Sequence, residues 1–471
     1  MSLKTVDVLV VGGGIVGIGI FRDLSMHNIS TLLIEKKDFS SQTSQSSSKM
    51  LHGGIRYLEN LDFALVWEAL HEKNLWLSLA PHLCQEKAFY LPIYKESKRP
   101  LWMIRSGLAL YDFLSGYQNS PHKIKNKNQV IEALPKIQQA GLKGAGVYYD
   151  AIIDDAQLGL EVLFDALRNP VVEALNYTAL VDVKKDGSNL ICTLRDEMNA
   201  KEWQVIAKDI VFALGPFTDQ VLGKIDLFDW KDCLLPSKGS HLWFDKNKLP
   251  IDCPMVLNTK DDRVIFVIPH DNKVLVGTTE VLPEEDYFDM KPKQSEIDYL
   301  LSCLKQYFPN VLLAEKDILS SFAGVRPLVK EDSSSNLGKT TRDHKVFRPL
   351  SNIYSIVGGK YTTFRVMGQE ITRNLVLKKG FSYNSNLTKR PLRQKKYALQ
   401  GKNDEIGTEV INGILENEKV KTFHDLVVRR LGVPGKSHWK QSVCFDDFFI
   451  NLLPLLKEHF EIDEEDIRNF S

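Results

Sequence analysis

The sequence lacks the features that define several large classes of protein. Its six cysteines are scattered, with no C-x-x-C pair, so we expect no metal site, no iron–sulfur cluster and no disulfide framework, which fits a reducing cytosol. Lys plus Arg and Asp plus Glu number 60 each, and the resulting zero net charge gives no reason to expect nucleic acid as a partner. No uninterrupted apolar run reaches about 18 residues, so no transmembrane helix is expected. The 471 residues have a globular composition and suffice for roughly two to four domains.

The N-terminal residues have the pattern of a dinucleotide-binding βαβ unit. An apolar, mostly β-branched run at Val6–Val11 predicts a strand that stops at glycines. These glycines have G-x-G-x-x-G spacing and are Gly12, Gly14 and Gly17. Residues 15–27 are predicted to form a helix and residues 31–34 a second strand, which ends in Glu35.

Each part of this unit has a physical role. Gly12 makes the tight turn out of the strand, Gly14 leaves room for a pyrophosphate, and Gly17 allows close packing of the helix. The helix N-terminus offers free N–H groups to the phosphates, and Glu35 is placed to accept hydrogen bonds from a ribose diol. The unit predicts a bound dinucleotide but does not distinguish NAD from FAD.

A serine-rich segment, residues 38–57, follows this unit, and six of its twenty residues are serine. Such a composition is typical of a disordered linker, but a linker is not expected between the βαβ unit and the helical pattern of residues 63–79. The alternative is a loop whose hydroxyl and N–H groups face a ligand. Its predicted contacts with phosphate or flavin are Thr43, Ser44, Ser48, Lys49, His52, Gly53 and Gly54, followed by Arg56 and Tyr57 pointing into a site.

Further along the chain, short strands predict a second, mostly antiparallel domain. Residues 176–212 have the alternation of a meander, and the strand at 209–216 ends in Ala213-x-Gly215, which resembles the second fingerprint of flavoproteins. The alternative for this strand is a plain buried strand and turn. Residues 236–280 are again strand-like, and Gly358-Gly359 precedes a predicted helix whose N-terminus could face an anion or a flavin ring.

Two basic segments have open interpretations. Residues 95–114 combine basic residues with an apolar helical stretch, which fits an interfacial helix and a core-facing helix about equally well. Residues 378–396 are a basic linker that could touch anionic lipid, and residues 400–471 are helical by pattern.

Taken in this order, the motifs resemble those of the FAD-dependent glycerol-3-phosphate dehydrogenase family, a branch of the glycine-oxidase-like flavoproteins. The resemblance covers about residues 6–365 and, more weakly, the C-terminus. Besides the βαβ unit, the matching motifs are Ser-Ser48-Lys49-Met-Leu-His52-Gly-Gly-Ile-Arg56-Tyr57, Lys238-Gly-Ser-His241, Gly324-Val-Arg326-Pro-Leu and Gly358-Gly-Lys360-Tyr-Thr-Thr363.

The resemblance implies an α/β fold with α+β elements and three domains. A Rossmann-type FAD-binding domain is expected at 1–80 with 145–225 and 320–380. A mostly antiparallel β substrate-binding domain is expected at 81–144 with 226–319. A small helical C-terminal domain is expected at 381–471.

The activity implied by the resemblance is oxidation of sn-glycerol 3-phosphate to dihydroxyacetone phosphate, with hydride transfer to noncovalently bound FAD. Arg56, Lys360 and Arg326 would supply positive charge for a phosphate and for the carbon-2 oxygen, with Arg326 stabilising the alkoxide. Tyr57 and Thr363 would add neutral hydrogen bonds. His241 is the expected base, because an imidazole has an ordinary pKa near ~6.5. The cofactor contacts implied later in the chain are Ala213, Gly215, Gly359 and Lys360.

The electron acceptor is less directly constrained. No cluster, haem or second nucleotide motif occurs, so the basic patch and the family resemblance favour membrane quinone, with the enzyme attached peripherally to the inner face of the cytoplasmic membrane. A homodimer is left open. The alternatives are an oxidase that uses oxygen, an amino-acid or 2-hydroxy-acid oxidoreductase of the same fold, and a flavin-binding protein without activity, such as a tRNA-modification or assembly partner.

Overall fold

The computed structural model of the protein describes residues 3–283, 286–330, 343–393, 408–431 and 453–462. Its strands, in chain order, are β1 (Lys4–Val11), β2 (Thr31–Ile34), β3 (Met50–Leu51), β4 (Cys84–Tyr94), β5 (Lys123–Asn126), β6 (Leu142–Ile153), β7 (Val172–Leu175), β8 (Thr178–Asp186), β9 (Asn189–Asp196), β10 (Glu202–Phe212), β11 (Leu234–Asp245), β12 (Met255–Asn258), β13 (Val264–His270), β14 (Lys273–Gly277), β15 (Ile318–Val329), β16 (His344–Leu350) and β17 (Ile353–Gly358).

The helices belong to the same described residues. The α-helices are α1 (Ile15–Met26), α2 (Phe63–Leu79), α3 (Leu101–Leu114), α4 (Lys127–Ala133), α5 (Asp155–Ala166), α6 (Thr218–Leu222), α7 (Gln294–Tyr307), α8 (Phe364–Lys378) and α9 (Thr408–Asn417). Short 3₁₀ turns lie at Ile55–Leu58, Gly215–Phe217, Glu315–Asp317, Tyr361–Thr363 and Leu387–Lys389, and a π-helix at Asp425–Arg430.

The first sheet has a parallel centre and places several glycines at one edge. Its order is β16-β17-β10-β1-β2-β7, and β8 and β9 extend it antiparallel beside β10. Strand β1 pairs in parallel with β2 on one side and with β10 on the other. The order in which the chain adds strands to the sheet therefore reverses at β1, although these three strands run in the same direction. Because β10 and β17 are also parallel, Gly12 and Gly215, which follow β1 and β10, lie at the same edge as Gly358, the last residue of β17. Open α/β sheets bind ligands at such a reversal point.

The second sheet is mostly antiparallel and has the order β15-β11-β14-β13-β12-β4-β6-β3, with β5 beside β6. Only the contact of β12 with β4 is parallel among its described pairs. Strand β11 pairs with β15 along most of its length, so Ser237 lies opposite Arg326 and His241 opposite Phe322. The predicted fold class, a Rossmann-type domain with a mostly antiparallel second domain, is confirmed.

The two sheets do not coincide with the domain segments that were predicted from the sequence. Strands β6 and β15 overlap the segments expected in the FAD-binding domain, yet both pair within the second sheet. The predicted boundaries at 144/145 and 319/320 therefore fall inside β6 and β15, while the division into domains stays a prediction. In the C-terminal region the structure describes α9, the π-helix and a helical stretch at 453–459, whereas residues 394–407, 432–452 and 463–471 of the expected domain lie outside the described residues.

Helix α3 has two different faces. Ile104, Leu108 and Tyr111 are buried, and Ile104 and Leu108 pack where Gly146 of β6 has no side chain. Trp102 and Phe113 on the other face are 71% and 61% exposed. The core-facing and the interfacial interpretations of this segment therefore apply to opposite sides of one helix. In the part of the chain that the structure describes, none of the helices is both long and apolar enough to span a membrane.

Candidate active site

A cavity of about 330 Å³ lies where the glycine-bearing edge of the first sheet meets β11 and β15 of the second. The predicted site residues that line it are Gly12, Gly14, Glu35, Thr43, Ser44, Ser48, His52, Ala213, Gly215, His241, Arg326, Gly359 and Lys360. The predicted site residues outside its lining are Gly17, Lys49, Gly53, Gly54, Arg56, Tyr57 and Thr363. One cavity therefore gathers predicted residues from positions 12 to 360.

The glycine-rich turn is closed by backbone contacts that leave no room for side chains. Gly12 has a φ of +109°, and a methyl group there would lie 2.4 Å from the carbonyl oxygen of Ala213. A methyl group at Gly17 would lie 1.9 Å from the carbonyl oxygen of Gly12. The start of α1 therefore sits directly on the turn, with its free N–H groups at the cavity.

Glu35 lies at the rim of this turn and is held by backbone N–H groups. Its Oε2 accepts from the Gly13 N–H at 2.7 Å, and its Oε1 accepts from the Lys37 N–H at 2.9 Å. Burial raises the pKa of the Glu35 carboxyl, and the two backbone hydrogen bonds oppose that rise. Each carboxylate oxygen keeps a further lone pair for a ligand hydroxyl on the cavity side.

His241 is buried on β11 and held neutral by its surroundings. Its Nε2 is 2.9 Å from the Ser48 hydroxyl, its ring stacks on Phe322 at 4.9 Å, and its Nδ1 has no partner among the described residues. Burial, followed by the charges of Arg326 and Lys49, lowers its pKa well below the ordinary value. Gly277 of β14 lies opposite His241, and a methyl group there would be 2.2 Å from the ring. The glycine at this position therefore leaves space for the imidazole.

Arg326 of β15 is placed by the ends of neighbouring strands. Its Nη2 donates to the Thr278 hydroxyl at 2.6 Å, and its Nη1 donates to the Thr279 carbonyl at 3.4 Å. A methyl group at Gly239 would lie 2.2 Å from the guanidinium, so this glycine makes room for it. Behind it, Glu296 accepts from the Thr279 hydroxyl at 2.6 Å and pairs with Lys238 at 2.7 Å, which fixes the strand that Arg326 contacts.

Lys360 enters the cavity from the turn after β17. Its Nζ lies 3.9 Å from the centre of the Tyr57 ring, a cation–π contact, and both Lys360 and His52 line the cavity. The neighbouring Thr362 hydroxyl accepts from the His52 N–H at 3.2 Å. Thr363, the predicted substrate residue, is instead buried at the start of α8 with its hydroxyl 3.5 Å from the Lys360 carbonyl.

The remaining predicted residues support the cavity from outside. Lys49 pairs with the buried Asp155 at 2.5 Å. The Gly53 N–H donates to the Tyr111 hydroxyl at 2.9 Å, and Gly54 has a φ of +81° and packs against the Tyr57 ring. Arg56 is half-buried on the 3₁₀ turn that also carries Tyr57. The roles assigned to all these residues stay predictions.

Comparison with known proteins agrees with this geometry. The family described as DAO, FAD dependent oxidoreductase, matches residues 7–373. The chain belongs to this family. It is 34% identical to a glycerol-3-phosphate dehydrogenase of Synechocystis, with 78% of this chain and 69% of the relative aligned. It is 33% identical to a probable mitochondrial glycerol-3-phosphate dehydrogenase of Caenorhabditis elegans over 79% of this chain, and spans about half, 52%, of that relative.

A solved structure extends the likeness to the fold. The glycerol-3-phosphate dehydrogenase of Bacillus halodurans complexed with FAD aligns at a TM-score of 0.74 and 24% identity, covering 99% of this chain and 93% of the other. The family resemblance drawn from the sequence motifs is confirmed, and FAD is the cofactor of this FAD-dependent oxidoreductase.

The cavity has the unsatisfied polar groups and the aromatic cover that FAD requires. The buried hydroxyls of Ser40 and Ser41 line it and have no partner among the described residues, so a polar ligand would satisfy them. The Ser44 hydroxyl accepts from the Ile15 N–H at 2.9 Å at the start of α1. Phe217 and Phe288 stack at 4.3 Å, and Lys36 lies 5.4 Å from Phe288, so these rings cover the end of the cavity next to Glu35.

Several of these lining residues were missed by sequence reasoning. Ser40 and Ser41 lie in the serine-rich segment just before the predicted contacts Thr43 and Ser44, and the serine-rich composition was the signal that could have found them. Thr362 lies in the Gly-Gly-Lys-x-Thr-Thr motif, one residue from the threonine that was chosen. Phe288 has no local signal, because it lies in an irregular stretch and reaches the cavity only through the fold.

Proposed function

We propose that the protein oxidises sn-glycerol 3-phosphate to dihydroxyacetone phosphate. FAD, when bound, supplies the acceptor for the hydride of substrate carbon 2. The observation that carries the proposal is that a neutral, buried imidazole and two cations, His241, Arg326 and Lys360, line the same cavity as the glycine-rich turn. This set meets the needs of a substrate with a dianionic phosphate and a hydroxyl that must lose its proton.

The cations have complementary roles in the proposal. Arg326 offers a planar guanidinium whose orientation is fixed by Thr278, which suits a directed bond to the carbon-2 oxygen as it gains negative charge. Lys360 is a point charge that contacts the Tyr57 ring and suits the phosphate, and Arg56 lies on the same 55–58 turn as Tyr57. An amino acid or 2-hydroxy acid would require only one cation for its carboxylate.

His241 is the proposed proton acceptor. Because its pKa is lowered, the ring is neutral at physiological pH and can accept a proton. With a proton on Nε2 donated to the Ser48 hydroxyl, Nδ1 is left with the lone pair that takes the substrate proton. Arg326 lowers the cost of the resulting alkoxide, and the enclosing strands β11 and β15 keep bulk water from competing.

We further propose that the electrons pass to a membrane quinone at the inner face of the cytoplasmic membrane. Supporting this are large apolar side chains exposed on the neighbouring helices α2 and α3, namely Phe63, Trp67, Trp102, Met103 and Phe113. Lys98 and Arg99, two basic residues of the 95–114 segment, are ion-paired with Asp262 and Glu59. Apolar insertion would therefore contribute more than charge to membrane binding.

The activity is tested by anaerobic titration of the holoenzyme. We expect glycerol 3-phosphate to bleach the flavin absorbance near-stoichiometrically, while glycine, sarcosine and 2-hydroxy acids do not. Reoxidation by a water-soluble quinone should then be much faster than by oxygen. Failure of glycerol 3-phosphate to reduce the flavin would contradict the substrate, and faster reoxidation by oxygen would favour an oxidase.

The membrane surface is tested by co-sedimentation with vesicles containing anionic lipid. The double variant Trp102→Ser, Phe113→Ser should lose most binding, because two exposed apolar side chains no longer insert. The matched control is Leu312→Ser, since Leu312 is 90% exposed but lies elsewhere on the chain. Equal binding by wild type and the double variant would exclude this face of α3.

A further inference from the structure

The loop between Glu35 and Ser41 forms one wall of the FAD cavity. Glu35, Lys36, Ser40 and Ser41 all line the cavity. The loop is tied to the glycine-rich turn from the inside, because the Ser40 N–H donates to the Gly13 carbonyl at 2.9 Å. The position of this loop therefore determines where the Glu35 carboxylate and the hydroxyls of Ser40 and Ser41 lie in the cavity.

The same loop is held from the outside by a buried ion cluster. The carboxylate of Asp38 is fully buried and receives a bidentate contact from Arg430, with Nη2 to Oδ1 at 2.9 Å. Arg429 donates to the same carboxylate through Nε at 2.5 Å, and Asn176 donates through Nδ2 at 3.0 Å. Both arginine side chains are at least 97% buried, so this is not a solvated surface contact.

The two arginines belong to the π-helix Asp425–Arg430, which is separated from Asp38 by about 390 positions and is itself anchored. The side chain of Gln157 in α5 donates to the Arg430 carbonyl at 2.8 Å. The Tyr177 hydroxyl donates to Asp425 at 2.7 Å, and Asn176 also donates to the Lys419 carbonyl at 2.8 Å. The C-terminal segment 418–431 is therefore docked on the far side of the cofactor loop.

The charges in this cluster depend on one another. Burial alone would raise the pKa of the Asp38 carboxyl, but Arg430 and Arg429 outweigh burial and lower it. Removing one partner would leave an uncompensated charge away from water, which is far more costly than the loss of an exposed pair. Moving Asp38 toward solvent would relieve that cost, and it would also move Ser40 and Ser41.

We propose that Asp38, Arg429 and Arg430 are positioning residues for FAD: the C-terminal segment, through this ion cluster, fixes the 36–41 loop in the conformation that binds the cofactor. None of the three lines the cavity itself, and Asp38 reaches it through the loop, where its carbonyl accepts from the Ser41 N–H at 3.3 Å. The proposal concerns cofactor affinity and is independent of which substrate is oxidised. Because such a coupling is reciprocal, bound FAD should also stabilise the docked C-terminal segment.

The proposal is tested with full-length Asp38→Asn and Arg430→Met. The dissociation constant of FAD, measured from flavin fluorescence on reconstituting the apoprotein, should rise by about tenfold or more. In parallel, hydrogen exchange of residues 408–431 should slow when FAD binds to the wild-type apoprotein, and this slowing should be lost in Asp38→Asn. The exchange measurement on wild type alone decides the proposal if a variant does not fold.

The matched control is Asp165→Asn, which breaks the buried pair of Arg22 with Asp165 at 2.9 Å without touching the 36–41 loop. It should lower the melting temperature but leave the FAD dissociation constant within about twofold of wild type. An unchanged constant in Asp38→Asn, an equal rise in Asp165→Asn, or identical exchange of 408–431 with and without FAD would each overturn the proposal.

Discussion

The two sheets contribute to the cavity in different ways. The first sheet contributes mainly backbone: turns after parallel strands, the start of α1, and a Glu35 carboxylate held by two N–H groups. The second sheet contributes side chains, His241 and Arg326, which are set by strand register and by glycines in neighbouring strands. The first arrangement suits a cofactor shared by many enzymes, whereas the second, in the proposed function, would distinguish one substrate from another.

This difference explains why the two halves should respond separately to mutation. A change in the second sheet that removes a cavity side chain leaves the glycine-rich turn intact, so chemistry should be lost while FAD is kept. A change in the glycine-rich turn should instead lower FAD content and leave the activity per bound flavin near normal. If the two halves acted as one unit, a change in either half would instead lower both FAD content and activity.

The largest effect is expected for His241→Ala, which removes the proposed base. The kcat should fall by about 10²–10⁴-fold with FAD content unchanged. In wild type, kcat/KM should stay level as pH falls through 6.5 and decline only at lower pH, because the pKa of His241 is lowered and the ring gains its proton only there. Steady-state kinetics from pH 5 to 9 measure both.

His270→Ala is the matched control, because His270 is a half-buried histidine on β13, two strands from β11, and it does not line the cavity. Its pKa is lowered to about 4, mainly by desolvation. The His270→Ala variant should keep the wild-type dependence of kcat/KM on pH. A His241→Ala variant that retained the wild-type pH profile would remove His241 as the base.

The next effect is expected for Arg326→Ala and Lys360→Ala. Each should lose on the order of 3 kcal/mol of transition-state stabilisation in kcat/KM, because a cation facing the phosphate or the alkoxide is gone. Flavin absorbance of the purified variants should match wild type. Arg348→Ala, which removes a cation stacked on Tyr354 outside the cavity, is the control and should be kinetically silent. Wild-type kinetics in either cavity variant would refute its assignment.

A smaller effect, confined to the first sheet, is expected for Gly17→Ala. The added methyl group would meet the Gly12 carbonyl at 1.9 Å, and such overpacking costs about 1–3 kcal/mol. We expect lower flavin occupancy and a lower melting temperature, with near-normal kcat per bound flavin. Gly107→Ala, at a helical glycine with open space around it, should instead stabilise by about 0.5–1 kcal/mol. Full flavin occupancy in Gly17→Ala would show that the close contact of Gly17 with the Gly12 carbonyl does not limit FAD binding.

The sequence predicted the first half better than the second, for a physical reason. The turn, α1 and Glu35 follow one another within about thirty residues, so local spacing alone predicts how they meet. The meander ending at β10 was also predicted correctly, since alternation is a local property. His241 and Arg326 were found through resemblance to a family, because no local pattern places β11 beside β15.

What the sequence did not predict depends on tertiary contacts. The pairing of Lys49 with Asp155, the Phe217–Phe288 stack and the Asp38–Arg430 pair each join residues more than seventy positions apart. Thr363 was predicted to contact the substrate, whereas Thr362 lines the cavity, because spacing does not show which side of a 3₁₀ turn faces the cavity. The split burial of α3 likewise follows from its packing on β6, not from its hydrophobic pattern.

The central claim is that the two cavity cations, Arg326 on the second sheet and Lys360 after β17 of the first, select a phosphate-bearing alcohol. The most direct test is the rate of anaerobic flavin reduction by glycerol 3-phosphate compared with glycerol at the same concentration, with inorganic phosphate as competitor. We predict rapid reduction by glycerol 3-phosphate, none by glycerol, and inhibition by phosphate that is lost in Lys360→Ala. Equal reduction by both alcohols, or no effect of phosphate on wild type, would contradict the claim.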